Sequence, residues 1–307
     1  MLLIGDCRKE LKSLASKSVQ CVVTSPPYYN LRDYGVAGQL GAERTVQEYV
    51  ENLVAVFREV HRVLKNDGTV WLNLGDSYSG SCKGRNAFGM CAGGDPKSRA
   101  RNGGLLHKTQ GAKPKDLLGV PWRVAFALQE DGWYLRQDII WAKPNAMPEP
   151  VKDRCTRSHE YIFLLSKSRR YFFDSEAIKE DAVTNERRAH SVVRNRVLGY
   201  EGKVNKRLGG KIGGALTHKD TSKRNKRDVW FIHTKPYTGA HCAVFPPELI
   251  TPCILAGSRT GDVVLDPFFG SGTVAQVCEK LNRQWIGIEL NTEYKDLYKD
   301  RLVHSKI

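Results

Sequence analysis

The chain has 307 residues, 41% hydrophobic and 26% charged, with eight cysteines and a formal net charge of +15. That suits a globular chain with a sizeable core; no apolar run approaches the roughly 18 residues of a membrane span, and the N-terminal apolar stretch is too short for a secretory signal and lacks its small-residue cleavage site. Cys7, Cys21, Cys82, Cys91, Cys155, Cys242, Cys253 and Cys278 form no C-x-x-C pair, which argues against a disulfide scaffold or zinc ribbon, offers no metal site, and favours a reducing cytoplasmic compartment.

In chain order, Leu2–Ile4 and Val19–Thr24 read as short buried strands. Apolar residues at Val46, Val50, Leu53, Val54, Phe57, Val60 and Leu64 predict a helix over 45–65, ended by Asn66-Asp67-Gly68. A strand over 69–74 follows, then a helix over 121–129 with Pro121 in its first turn. Further strands are expected over 134–141 and 161–166, and beyond residue 230 the pattern is helix 246–256, strand 262–266, helix 273–281 and strand 284–289. Strands regularly separated by helices predict a doubly wound, mostly parallel α/β sheet. Residues 1–166 and 231–307 together are expected to make this domain.

The charge is not spread evenly. Residues 78–116 carry eight Lys/Arg against two Asp/Glu, and residues 167–230 carry seventeen against eight. The remaining 204 residues hold 23 of each and are neutral. Two basic segments on a neutral body suggest a polyanionic partner, most simply nucleic acid; the alternative is a pair of solvated loops. The first segment, with eight glycines, reads as a flexible lid or clamp. The second holds Arg187, Arg188, Arg194, Arg196, Lys206, Arg207, Lys223, Arg224, Lys226 and Arg227. It is expected to recognise the target, through phosphate contacts and base edges.

Two turns carry chemistry. Val263-Val264-Leu265-Asp266-Pro267-Phe268-Phe269-Gly270-Ser271-Gly272-Thr273 is a buried strand running into a glycine turn and a helix, where a ligand can approach the backbone. Glu289, ending the next strand, is placed to bind ribose hydroxyls, the arrangement of a nucleoside-containing cofactor site. At the other end of the chain, Val22-Val23-Thr24-Ser25-Pro26-Pro27-Tyr28 is a buried strand followed by two prolines, which lack backbone donors and stiffen the turn. Ser25 Oγ, the Pro26 carbonyl and the Tyr28 ring then suit a planar substrate with an exocyclic amino group.

These residues resemble the S-adenosylmethionine-dependent DNA amino-methyltransferases. Asp266-Pro267-Phe268-Phe269-Gly270-Ser271-Gly272-Thr273 is similar to their cofactor motif, and Ser25-Pro26-Pro27-Tyr28 to their catalytic motif. The catalytic motif coming first, with a long basic segment between the two, resembles the permuted β group. The resemblance implies a Rossmann-like fold, S-adenosyl-L-methionine as cofactor, double-stranded DNA as partner with the target base flipped out, a homodimer, and a bacterial or phage-type intracellular enzyme of the restriction–modification kind. It also implies that Asp266, Phe268, Gly270, Gly272, Thr273 and Glu289 bind the cofactor, that Phe245 contacts its methionine end, and that Asp6 contacts its adenine amino group. A first-position Ser resembles the cytosine-N4 enzymes, whereas adenine-N6 enzymes more often have Asp or Asn there; both bases stay open.

Other readings compete. Methylation of RNA or of a protein glutamine amide fits Asn-Pro-Pro-Tyr motifs better than Ser25-Pro26-Pro27-Tyr28, and a non-catalytic DNA-binding module would not need both turns intact. Thr251-Pro252-Cys253 offers a nucleophilic cysteine for carbon methylation but lies in an expected buried helix. His159-Glu160 reads as positioning its loop or touching the nucleotide, and Asn73-Leu74-Gly75-Asp76 as pocket wall or plain turn.

Overall fold

The computed structural model describes residues 1–79, 109–182, 222–235 and 244–303. Strand β1 (Leu2–Ile4) leads to α1 (Cys7–Ser13), β2 (Val19–Thr24), α2 (Val46–Val63) and β3 (Leu64–Leu74). Helix α3 (Val120–Glu130) then precedes β4 (Tyr134–Ala142) and β5 (His159–Ser166). Two-residue strands β6 (Glu180–Asp181) and β7 (Lys223–Arg224) are followed by β8 (Val229–Phe231). The chain closes with α4 (Pro247–Gly257), β9 (Val263–Asp266), α5 (Thr273–Lys280), β10 (Gln284–Glu289) and α6 (Leu297–Val303). No described helix is long and apolar enough to cross a membrane.

Eight strands form one sheet in the order β1-β10-β9-β2-β3-β5-β4-β8. All neighbours are parallel except β5, which runs antiparallel to both β3 and β4. This is the mostly parallel sheet expected from the strand–helix alternation, and it agrees with the Rossmann-like fold that the resemblance implies. Every residue of β2 is buried, as a strand covered on both faces requires. Successive side chains alternate: Val22 joins the core shared with α1, α2 and α3, whereas Cys21 faces α4. Helix α2 packs on α1 and α3, and α5 packs on α4 and α6, so each face of the sheet carries its own helical layer.

The boundaries follow tertiary packing where they depart from local signals. Thr45 and Glu48 close a capping box at the start of α2. The helix stops at Val63, short of the expected Asn66-Asp67-Gly68, because the fully buried Leu64 already pairs with Val19 in the sheet. The pairing register then jumps to Cys21 opposite Thr69, leaving 65–68 as a bulge. A Cβ on Gly68 would lie 2.6 Å from Leu64 Cγ and 2.8 Å from the Gln20 carbonyl, so this bulge requires glycine.

Two compact units are present: residues 1–174 with 228–307, and residues 175–227. The second unit is thus narrower than the basic segment 167–230 read from the charge. Lys167 donates to the carbonyls of His61 and Leu64, and the Trp141 indole donates to Ile232 O beside β8, which ties 167–174 and 228–232 to the sheet. Within the second unit β6 and β7 pair antiparallel, Glu180 opposite Arg224.

Gly257, the last residue of α4, abuts β2 and β3. A Cβ there would lie 2.6 Å from Cys21 Sγ and 2.9 Å from both Thr69 Oγ1 and Trp71 Nε1. Overpacking of this kind costs about 1–3 kcal/mol, so Gly257→Ala should lower the denaturant midpoint accordingly. An unchanged midpoint would contradict the packing described.

Candidate active site

The parallel strands β1, β10, β9, β2 and β3 all deliver their carboxyl ends to one edge of the sheet. Because β5 is antiparallel, its amino end reaches the same edge, as does the carboxyl end of β4. Asp6, Glu289, Asp266, Ser25, Asn73, Glu160 and Lys143 therefore belong to this edge, although they come from seven separate stretches of sequence.

The glycine turn after β9 is built around two buried carboxylates. Asp266 Oδ1 accepts from Thr24 Oγ1 at 2.6 Å and from the Phe268 amide at 3.1 Å. Glu289 Oε2 accepts from the Gly270 amide at 2.8 Å and Oε1 from the Asn291 amide at 2.7 Å. Gly270 and Gly272 hold φ of 55° and 80°, the left-handed region that favours glycine. Gly272 starts α5 without a side-chain cap, Thr273 is buried in its first turn, and a Cβ on Gly272 would lie 2.5 Å from Tyr298 Cβ. Burial raises the Asp266 carboxyl to about 7 against the hydrogen bonds from Thr24 and Phe268, with Glu289 adding to the rise; burial raises Glu289 as well.

The other proposed cofactor contacts are placed less uniformly. Phe268 is half-buried in the same turn, and Phe245 lies half-buried just before α4. Asp6 sits at the end of β1, next to β10, but its carboxylate caps α1 through the Arg8 amide and pairs with the Arg8 guanidinium at 2.6 Å. The hydrogen bonds from Arg8 hold it below the usual carboxylate range.

After β2, the proline turn is fixed from below by the Tyr49 hydroxyl, which donates to the Pro27 carbonyl at 2.8 Å. No donor among the described residues reaches the Pro26 carbonyl. Ser25 Oγ donates to Tyr28 Oη at 3.4 Å, and Tyr28 Oη donates to Glu160 Oε2 at 2.5 Å. The Tyr28 ring packs on the backbone of Gly75, where an added Cβ would come within 2.5 Å of Cε2. Asn73 Nδ2 donates to Glu160 Oε2 and to the Tyr161 carbonyl, both at 3.1 Å. The Lys143 ammonium pairs with Glu160 Oε1 and stands 4.3 Å from the Trp141 ring centre. Burial would raise Glu160, but Lys143, Tyr28 and Asn73 outweigh it and keep the carboxylate ionised below its usual range. Burial and Glu160 raise the Tyr28 phenol well above its ordinary value, so it stays protonated.

His159 leans on the Tyr161 hydroxyl at 3.4 Å, and burial lowers its imidazole. Asp76 Oδ1 accepts from the Val120 amide at 2.9 Å, supplying α3 with the cap that Gly119 lacks, and pairs with Arg157 at 3.6 Å. Cys253 is buried inside α4 with Sγ directed at the Leu249 carbonyl. Of the basic residues, Arg224 and Arg227 both donate to Glu180 Oε1, at 2.9 and 2.6 Å; Lys223 lies on β7 and Lys226 just beyond it. Arg187, Arg188, Arg194, Arg196, Lys206 and Arg207 lie outside the described residues, as does most of the glycine-rich segment 78–116. Sequence reasoning missed Lys143 and Arg157: pairing of β4 with β5 brings Lys143 to Glu160, and pairing of β3 with β5 brings Arg157 to Asp76.

Comparison with known proteins agrees with this geometry. A family model described as DNA methylase, covering the N6 and N4 enzymes, matches residues 19–300. The chain is 48% identical over 307 residues to a type II methyltransferase of Serratia marcescens, M.SmaI, covering 99% of this chain and 91% of that one. It is 50% identical over 302 residues to M.XycI, a type II methyltransferase of Xanthomonas campestris pv. cyanopsidis, covering 98% and 87%. Among solved structures, the PvuII DNA methyltransferase, described as cytosine-N4-specific, shares the fold with a TM-score of 0.63 at 21% identity, covering 98% of this chain and 85% of that one. The chain belongs to this DNA methylase family and is an S-adenosylmethionine-dependent DNA amino-methyltransferase.

Proposed function

We propose that the enzyme methylates the N4 amino group of a cytosine flipped out of duplex DNA, with Ser25, Pro26, Pro27 and Tyr28 forming the catalytic turn. The observation that carries this reading is the placement of two acceptors in one turn: Ser25 Oγ, which donates its own hydrogen to Tyr28 at 3.4 Å, and the Pro26 carbonyl, which no donor among the described residues reaches. An exocyclic amino nitrogen is a poor nucleophile because its lone pair is delocalised into the ring. Accepting its two protons at Ser25 Oγ and the Pro26 carbonyl draws that nitrogen toward tetrahedral geometry and stabilises the positive charge that develops on it. Tyr28, anchored at its hydroxyl and backed by Gly75, supplies a ring face for the base, which must leave the duplex to reach this turn. A neutral Ser in place of the Asp or Asn more usual in adenine enzymes, and the fold shared with a protein described as cytosine-N4-specific, support cytosine over adenine.

The turn after β9 fits the cofactor. Two buried carboxylates side by side, with no cation among the described residues paired to either, suit a ligand bearing positive charge, and the uncapped start of α5 offers backbone donors. Asp266, Phe268, Gly270, Gly272, Thr273 and Glu289 would hold the nucleoside and sulfonium, Phe245 the methionine end and Asp6 the adenine edge. When bound, the cofactor supplies an electrophilic methyl group. The basic residues of 187–227 would contact DNA, and 78–116 would close over it; the β-group resemblance supports a homodimer, and restriction–modification relatives support a cytoplasmic enzyme.

Labelled cofactor offered with duplex DNA, RNA and protein should label DNA alone, and nucleoside mass spectrometry should identify N4-methylcytosine; N6-methyladenine would overturn the base assignment, and labelled RNA or protein the substrate. Ser25→Ala should lower turnover about 10²–10³-fold while calorimetric affinity for the cofactor stays near wild type, and Glu289→Ala should weaken that affinity. The reverse pattern would exchange the two roles.

The raised Asp266 carboxyl also predicts a pH dependence. Its folded value of about 7 lies above an unfolded value of about 4, so the folded protein retains a proton that the unfolded chain has released. The resulting stability is fully present below about pH 4 and is lost as pH rises through 7. Asp266→Asn should therefore flatten the fall in melting temperature across that window. Parallel curves for the two proteins would contradict the assignment.

A further inference from the structure

We propose that Glu160 is a positioning residue that sets the direction of the hydroxyl hydrogens at the catalytic turn, acting on Ser25 through Tyr28. This rests on the reading of Ser25 as an acceptor. A hydroxyl can donate or accept, and the amino group of a base brings only donors, so Ser25 is useful only while its own hydrogen points elsewhere. The chain of contacts enforces this. Glu160, ionised beside Lys143, can only accept; Tyr28 therefore donates to it at 2.5 Å, which leaves the Tyr28 oxygen as the acceptor for Ser25 at 3.4 Å. Each hydrogen points toward the carboxylate, and the free lone pairs are left at the substrate end. Asn73 reinforces the arrangement, donating to the same Glu160 oxygen while its Nδ2 is also fixed by the Tyr161 carbonyl.

The Lys143–Glu160 pair therefore acts at a distance from the reacting atoms. In Glu160→Gln the ammonium of Lys143 draws the amide oxygen to its own side, which turns the amide NH2 toward Tyr28. Tyr28 would then accept rather than donate, its hydrogen would turn to the acceptors that remain, Ser25 Oγ at 3.4 Å and Asn73 Oδ1 at 3.5 Å, and wherever it takes Ser25 the Ser25 hydrogen would confront the donors of the base. In Tyr28→Phe the ring remains but the message cannot pass, and Ser25 is free to rotate.

The experiment measures single-turnover methyl transfer to duplex DNA at saturating cofactor for wild type, Tyr28→Phe, Glu160→Gln and the double variant, with melting temperature and calorimetric cofactor affinity alongside. Glu160→Gln should lose about a hundredfold in rate, Tyr28→Phe about tenfold, and cofactor affinity should stay within about twofold of wild type in each. The double variant should match Tyr28→Phe, so that removing the Tyr28 hydroxyl rescues Glu160→Gln. Losses that multiply in the double variant, or a wild-type rate in Tyr28→Phe, would overturn the proposal. Should Glu160→Gln fail to fold, Tyr28→Phe alone decides: a tenfold loss upholds the relay and an unchanged rate ends it. A wild-type enzyme inactive on DNA would instead remove the reading of Ser25 on which the proposal stands.

Discussion

One short hydrogen bond, from Thr24 Oγ1 to the buried Asp266 Oδ1, joins the two strands on which both functional turns are built. Thr24 is the last residue of β2 and Asp266 the last of β9, and these strands are adjacent in the sheet although 242 positions separate the partners. Together with the backbone pairing of β2 and β9, the bond holds the proline turn beside the glycine turn; with the roles proposed for the two turns, methyl transfer would depend on that spacing because it requires donor and acceptor atoms in line. Asp266 is held by neutral donors and by no cation among the described residues, a surrounding in which the positive charge of the proposed sulfonium cofactor would favour its ionised form. Both helical layers serve this arrangement by covering β2 and β9 on their two faces, so the strands cannot shift without opening the core.

The turns themselves were legible in the sequence because their signals are local. A continuous apolar run ending in Pro-Pro, and another ending in a Gly-x-Gly turn before a helix, each state their strand and its end. The end of α2 was less legible, since Asn66-Asp67-Gly68 is a good stop signal and only the pairing of Leu64 with Val19 shows that the helix has already ended. Strand β8 is three residues long and lies at the border of a basic segment, with too few alternations to register as a strand. Lys143 and Glu160 could not be paired from sequence at all, because their meeting depends on the antiparallel register that places Trp141 opposite Glu160. Asp6 entered only as a cofactor contact implied by the resemblance; its capping of α1 and its pairing with Arg8 became visible only in the fold.

The distribution of charge follows the same division. The sheet unit contains balanced pairs, such as Arg58 with Asp131 and Lys65 with Asp262, while the excess positive charge of the sequence lies in residues 78–116 and 167–230. Within the second unit Glu180 gathers both Arg224 and Arg227, so two guanidinium groups are held together at a fixed spacing rather than left as independent solvated chains. Exposed pairs of this sort contribute little to stability.

The account's central claim is that the β2–β9 junction sets the spacing of the two turns. Thr24→Val keeps the side-chain volume and suits a strand but removes the donor to Asp266. Single-turnover transfer measured at saturating cofactor should then fall about tenfold, the loss expected of one buried hydrogen bond to a carboxylate. A Thr24→Val enzyme that transfers methyl groups at the wild-type rate would show that the spacing does not depend on this bond.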